Sequence, residues 1–388
     1  MDEKTALVLK KSFREYYFKN SEKVDIPDKI DEREFGYMPF GGSMIRHLTF
    51  KSPGEVIATL VREGPSAFFA STGYYKEPSM EMNKKGWTGA DLVFDIDADQ
   101  IPTSCKLKHD LWTCKECKHQ EKGLRPQICK CGSTRMMQLN MVCTECLSEA
   151  KTETFKLIDF LINDFGVNKS DIKIYFSGNM GYHISIESTM FCQLDQAARN
   201  EIVDYLSGMG LIPESVGVYK GVPIHDIYSR IPLETEPGWR GRIAEHFQRL
   251  HIDDYNEIRG RSSRDKIAFL YGKMNPKKFK KMYLDKAVKK ISVNIDSSVT
   301  TDIHRIFRMP GTLNGKSGLL KMECVNLESF DPLIDPVVFD DNPITVKIIV
   351  SSEFTLNECI FRTKSGDKVS LPKMAAIFLL TKGLARIE

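Results

Sequence analysis

The sequence predicts an α+β fold with a small metal-binding module inserted into it. Three observations carry this. An apolar run at 89–100, GADLVFDIDADQ, is interrupted by two aspartates. A crowd of cysteines follows it directly. Beyond them a strand–turn–strand pattern at 171–188 gives way to a helix-like stretch over 190–290. The predicted organisation is an N-terminal part of the core over 1–104, the metal module over 105–146, the rest of the core over 147–340 and a C-terminal strand and helix element over 341–388.

Residues 1–30 alternate apolar and basic positions and predict one or two helices. DEREFGYMPFGGSMIRHLTF (31–50) reads as two short strands around Gly41 and Gly42. In the strand at about 91–98, Leu92, Phe94 and Ile96 point one way while Asp95 and Asp97 share the other face. Asp is depleted in strands and costly to bury. Two carboxylates on one face, roughly 7 Å apart at Cα by strand rise, are a candidate cation site. Asp91 and Asp99 share their parity, so a merely polar strand edge is the plainer alternative.

Seven of the ten cysteines fall between Cys105 and Cys146. In a chain with no secretory signal, such clustering favours metal over disulfides. With His109 they supply two four-coordinate zinc sites. Cys114, Cys117, Cys129 and Cys131 read as a self-contained zinc ribbon, leaving Cys105, His109, Cys143 and Cys146 to close a second site at its base. A sequential pairing, the first four ligands and then the last four, is the rival, and His119 is a further possible ligand.

LSEAKTETFKLIDFLINDFGV (147–167) places Phe155, Ile158, Leu161 and Phe165 at helical spacing, with Gly166 as a stop. FSGNMGYH then sets Ser177, Gly178 and Gly181 in a turn between two strands. Such a turn exposes backbone N–H groups and a hydroxyl, a common way to hold phosphate oxygens. His183 falls on the face opposite Tyr182, Ile184 and Ile186, which predicts a position away from the core. IDSSVTTDIHRIFRMPGTLNGKSG adds Asp296 and Asp302, then Arg305, Arg308 and Lys316 around a Pro-Gly turn in a region read as strand and turn. Carboxylates beside a basic triplet suit nucleotidyl transfer, in which metal ions activate a hydroxyl and cations neutralise pyrophosphate.

The net charge of +3, with 41% hydrophobic and 28% charged residues, is ordinary for a soluble globular protein. Charge is therefore no argument for nucleic acid, although 274–290 is strongly basic and GWRGR and IRGRSSRDK add arginines nearby. A solvated helix face is the plainer explanation of such a run. No apolar stretch nears the length of a membrane span and the first residues lack a signal-peptide core, so a soluble intracellular protein with no membrane partner is expected.

GWTGADLVFDIDADQ, FSGNMGYHISI and IDSSVTTDIHRIFRMPGTLNGKSG, in this order, resemble the catalytic small subunit of archaeal and eukaryotic DNA primase, over roughly 30–325. The resemblance implies a primase-type core of mixed sheets with flanking helices, a zinc-binding insertion and a mainly helical subdomain. It implies synthesis of short primers de novo on single-stranded DNA from nucleoside triphosphates, with a large subunit as partner, in the cytoplasm of an archaeal cell or the nucleus of a eukaryotic one. Asp95, Asp97 and Asp296 would bind catalytic Mg²⁺ or Mn²⁺, with Asp302 the alternative third carboxylate. Ser177, Gly178, His183, Arg308, Lys316 and Arg46 would hold the nucleotide, and zinc would be structural. Relatives often carry a basic residue where this chain has Asn179 or Met180, and a His where it has Asn314. A primer-extending polymerase of the same superfamily and a non-catalytic zinc-ribbon scaffold are the competing functions.

Overall fold

In the computed structural model, residues 1–219, 226, 229–249, 262–273 and 275–388 are described. They fall into two compact units. The first takes in Met1–Thr152, Asp171–Gln196 and Ile295–Glu388, the second Glu153–Ser170 and Ala197–Asn294. No helix among the described residues is long and apolar enough to cross a membrane.

The first unit is built on two sheets. In chain order its strands begin with β1 (Arg33–Met38), β2 (Ile45–Leu48), β3 (Ala67–Tyr75), β4 (Trp87–Ala90) and β5 (Leu92–Asp97). Three short strands follow in the cysteine segment: β6 (Leu111–Cys114), β7 (Gln120–Lys122) and β8 (Met136–Leu139). Then come β9 (Ile172–Phe176), β10 (Gly181–Ile186), β11 (Ile306–Arg308) and β12 (Met322–Glu323). The first sheet has the order β11-β3-β1-β2, with β4 on the β11 edge of β3, and the second the order β12-β9-β10-β5. The chain crosses between them at Asp91, immediately before the strand that bears the two aspartates.

Alternation decides how these strands sit. Phe94 and Ile96 of β5, with Tyr182 and Ile184 of β10, bury one face of the second sheet completely, and Phe176 packs edge-on against Tyr182 there. The other face meets the first sheet: the His183 ring stacks on Phe307 of β11 with centroids 4.2 Å apart. His183 is therefore buried, not turned away from packing as alternation alone implied. A second sheet covers the face that a lone hairpin would leave to water.

The N-terminal helix Glu3–Lys19 is capped by the Asp2 side chain, which accepts from the Thr5 N–H at 2.9 Å. The two strands expected over 31–50 are β1 and β2, and the helix expected over 147–167 runs Thr144–Asn163. Between 289 and 320, where strand and turn were expected, a short helix Ser297–Thr301 precedes β11. The C-terminal stretch adds β13 (Pro343–Ile348), β14 (Ser352–Leu356), β15 (Cys359–Thr363), β16 (Lys368–Pro372) and β17 (Ala385–Arg386), with the helix Lys373–Thr381 buried from Met374 to Leu380.

The second unit is helical among its described residues, with a core that includes Leu206, Ile243, Phe247, Phe279 and Leu284. Arg242 grips Asp164 through Nε at 3.0 Å and Nη2 at 2.8 Å. In the basic stretch, Phe279, Leu284 and Ala287 face inward while Lys277, Lys278, Lys281, Lys286, Lys289 and Lys290 are exposed, as a solvated helix face requires. Met274 and the arginines Arg259 and Arg261 lie outside the described residues.

Candidate metal and nucleotide site

β5 and β10 pair antiparallel with Asp95 opposite His183 and Asp97 opposite Gly181. Asp97 and Gly181 explain each other. A Cβ at residue 181 would stand 2.0 Å from the Ile96 carbonyl oxygen and 2.7 Å from Asp97 Oδ1, so only glycine lets the turn lie this close to the aspartate strand. The third carboxylate arrives from a distant part of the chain. Asp296 N–H donates to the Asp95 carbonyl at 2.9 Å, and its side chain accepts from Ser298 N–H at 2.9 Å and Gln100 Nε2 at 3.3 Å. Asp302 turns instead to the backbone N–H of His304 at 2.9 Å. Of the two candidates, Asp296 is the one whose charge bears on Asp95 and Asp97.

The electrostatics follow from this crowding. Burial, then the neighbouring Asp97 and Asp296 charges, raise the Asp95 carboxyl well above its ordinary value. Asp97 is pushed up to about 6 by burial and then by Asp99. Burial alone would raise Asp296 as well, but hydrogen bonds from Ser298 and Gln100 outweigh it and the net shift is downward. Asp95 Oδ1 is buried with no hydrogen-bond partner. A buried carboxylate oxygen without a donor is costly, and a hard cation is the group that relieves it. The three carboxylates do not converge as tightly as the cysteine clusters described below.

The Ser177–Gly181 turn differs from the open cradle expected. The N–H groups of Asn179 and Gly181 both donate to Ser177 Oγ, at 3.3 and 3.2 Å, so the turn closes on its own hydroxyl. Gly178 takes a φ of +77°. The loop at 314–319 staples the turn from behind: Asn314 Nδ2 donates to the Ser177 carbonyl at 3.1 Å and Ser317 Oγ donates to that of Gly178. Asn314 Oδ1 in turn accepts from the Lys316 N–H at 2.9 Å. Asn314 is thus a buried brace rather than a group presented to a ligand.

Arg308 is half-buried, donates through Nη1 to the Leu313 carbonyl at 3.2 Å, and is pushed down to about 10 by desolvation. Arg46 is half-exposed and paired with the buried Glu34, with Nε at 2.9 Å and Nη2 at 3.2 Å, leaving Nη1 outside that pair. Lys316 exerts its charge on Asp97.

Sequence reasoning missed Lys321. It is buried, donates from Nζ to the Arg308 carbonyl at 2.6 Å, and lies over the rings of Phe307 and Tyr175. Burial, then Arg308, bring it down to about 7. Burial, then Lys321, Arg308 and Arg305, hold His183 well below its ordinary value, so its imidazole is neutral at pH 7. A lysine inside the apolar run GLLKMECV was the one signal available. Along the same strand faces, Val93 and Ser185 open into a cavity of about 620 Å³ that also meets Arg33, Asp91, Tyr175 and Lys321.

In the inserted module the structure gathers the cysteines in the nested grouping. The ligand atoms of Cys105, His109, Cys143 and Cys146 lie within 4.8 Å of one another, and so do those of Cys114, Cys117, Cys129 and Cys131. Sγ–Sγ distances of 3.7 Å for Cys114–Cys131 and Cys117–Cys129 match the edge of a tetrahedron with zinc–sulfur bonds of about 2.3 Å, which is about 3.8 Å. His119 lies instead at 3.3 Å from Glu121 and edge-on to Trp112. Both clusters could hold a metal such as zinc.

The fold and site together define a mixed α/β protein with an acidic cluster beside a braced glycine turn and the buried cation Lys321. The chain belongs to the DNA primase small subunit family. The sequence profile described as DNA primase small subunit matches residues 136–324. The chain is 37% identical to the DNA primase small subunit of Nitrosopumilus maritimus over the whole of both chains, and 36% identical to that of Cenarchaeum symbiosum over 99% of each. It is 32% identical to that of Archaeoglobus fulgidus, again over 99% of each.

Proposed function

We propose that the chain is the catalytic subunit of a DNA primase and makes short primers de novo on single-stranded DNA. It would work with a large subunit at replication in the cytoplasm. Family membership supports the role. The observation that carries the chemistry is Asp95 Oδ1, buried and lacking a donor while the charges of Asp97 and Asp296 act on its carboxylate.

In this reading Asp95, Asp97 and Asp296 would hold Mg²⁺ or Mn²⁺, ions that activate a sugar hydroxyl and neutralise phosphate charge when bound. The 3′-hydroxyl of the growing strand would attack the α-phosphorus of the incoming nucleoside triphosphate: its O–H proton passes to solvent water, the new P–O bond forms, and the bond to pyrophosphate breaks. Ser177 keeps its hydroxyl hydrogen for a phosphate oxygen, because its Oγ already accepts from two N–H groups. Gly181 lets the turn reach the aspartate strand, Gly178 lets it pack on the 314–321 segment, and neutral His183 stands beside Asp95. Arg308 and Lys316 supply positive charge for the leaving group, and Arg46 offers its free Nη1 at the periphery. Zn²⁺ at each cysteine cluster would be structural, since four protein ligands leave no open position.

The test is product formation on unprimed single-stranded DNA with labelled nucleotides and Mg²⁺ or Mn²⁺, beside an Asp95→Asn/Asp97→Asn double variant. Short oligomers from the wild type and none from the variant support the proposal. Extension of pre-primed template alone would make the chain a polymerase that does not initiate by itself. No incorporation by the folded protein would leave a nucleic-acid-binding scaffold.

A further inference from the structure

The C-terminal helix Lys373–Thr381 is fitted against the loop that braces the phosphate-type turn. Gly318 takes a φ of +77°, and a Cβ there would meet Ile377 Cγ2 at 2.5 Å. The same loop holds Ser177 and Gly178 through Asn314 and Ser317. This packing delivers Lys382, the residue just past the helix, to the turn: its Nζ stands 3.4 Å from Asn179 Oδ1 and 5.1 Å from the centre of the Phe378 ring.

Lys382 is half-buried, and among the described residues no carboxylate lies within ion-pair distance of it. Burial, then repulsion from Lys316, push its ammonium down to about 8. Asp110 is the one nearby charge that works the other way. Two lysines that repel each other, one of them held on the turn and without an ion-pair partner, are an arrangement that a polyanion would complete. The turn has no cationic side chain of its own at Asn179 or Met180. Asn179 belongs to the turn whose next glycine, Gly181, stands opposite Asp97, so Lys382 meets the turn two residues from that pairing.

We propose that Lys382 is a phosphate-binding residue: with Lys316 it grips the triphosphate of the incoming nucleotide, supplying from the C-terminal helix the cation that the Ser177–Gly181 turn lacks. The inference rests on the nucleotide-transfer reading above. It gives the stretch 341–388 a part in the site, beyond completing the fold.

The experiment uses the full chain and measures ATP binding by calorimetry in the presence of Mn²⁺, with Mn²⁺ binding alone measured by electron paramagnetic resonance. Lys382→Met is expected to weaken ATP binding about tenfold, the size of one charge-assisted hydrogen bond, with Mn²⁺ affinity unchanged or slightly tighter. Lys382→Arg should stay within about twofold of wild type. Lys382→Met/Asn179→Lys should recover most of the loss, because the new ammonium starts beside the old one. Unchanged ATP affinity in Lys382→Met overturns the role of Lys382 and leaves the nucleotide reading standing. Equal weakening of ATP and Mn²⁺ binding would mark a structural lysine and likewise overturn it. A wild type that binds no ATP overturns both.

Discussion

His183 stands directly across the strand pair from Asp95, with its Nε2 3.5 Å from the carboxylate Oδ1, yet that oxygen accepts no hydrogen bond. A neutral imidazole and an aspartate disfavoured by burial and by its acidic neighbours face each other in the same enclosed space. The geometry suits a cation and is costly for the cation-free protein.

Asp95→Asn should therefore separate stability from activity. Removing the charge abolishes metal-dependent incorporation, by a factor of at least about 10³, while raising the melting temperature of the cation-free protein by about 2 °C. Calorimetry in chelator beside a primer-synthesis assay checks both, and a variant that melts lower would contradict the account.

Proton linkage at Asp97 gives a pH dependence. Its folded value of about 6 exceeds the ordinary carboxylate value, so the folded chain holds a proton there that the unfolded chain releases at lower pH. The cation-free protein consequently loses stability at this site as pH rises from about 4 to about 6. Cation affinity moves the opposite way, rising through pH 6 as the carboxylate ionises. Mn²⁺ titrations at pH 5.0 and 7.0 should show markedly tighter binding at the higher pH, with proton release at the lower.

The two cysteine clusters should be separable. Cys129→Ser is expected to reduce bound zinc from two ions per chain to one and to spare the thermal transition of the two-sheet unit. Cys146→Ser also removes one ion, but its fully buried thiol sits in the first turn of the long helix Thr144–Asn163 and its loss should cost about 3 kcal/mol or more. Elemental analysis and thermal melting distinguish the two, and a zinc content unaffected by either change would reject the assignment.

Gly181→Ala should be severe for so small a change. The added methyl meets the Ile96 carbonyl oxygen at 2.0 Å, backbone against backbone, with no flexible side chain to yield. A loss of about 2–4 kcal/mol in unfolding free energy is expected, read from denaturant midpoints. A neutral outcome would mean that β5 and the turn are not as close as described.

The aspartate strand and the cysteine clusters were legible because their signals are local. Alternation over six residues sets Asp95 and Asp97 on one face, and knuckle spacing brings thiols together in almost any ribbon. What the sequence hid depends on chain segments meeting across long separations. His183 is buried because β11, more than a hundred residues on, closes over its face. Asn314 gives up ligand contact to brace Ser177, and Lys382 reaches Asn179 only once the C-terminal helix has docked on Gly318. No periodicity within one segment encodes such meetings. The choice between Asp296 and Asp302 belongs here too, since it turns on one backbone hydrogen bond to Asp95.

That hydrogen bond has an evolutionary consequence. The chain leaves the two-sheet unit after Gln196, builds most of the helical unit, and returns at Ile295, one residue before Asp296. With the returning segment pinned to the Asp95 carbonyl just ahead of the helix Ser297–Thr301, the third carboxylate takes its place from the two-sheet unit. Lineages can lengthen, trim or re-surface those helices to suit new partners without changing the address of the third carboxylate.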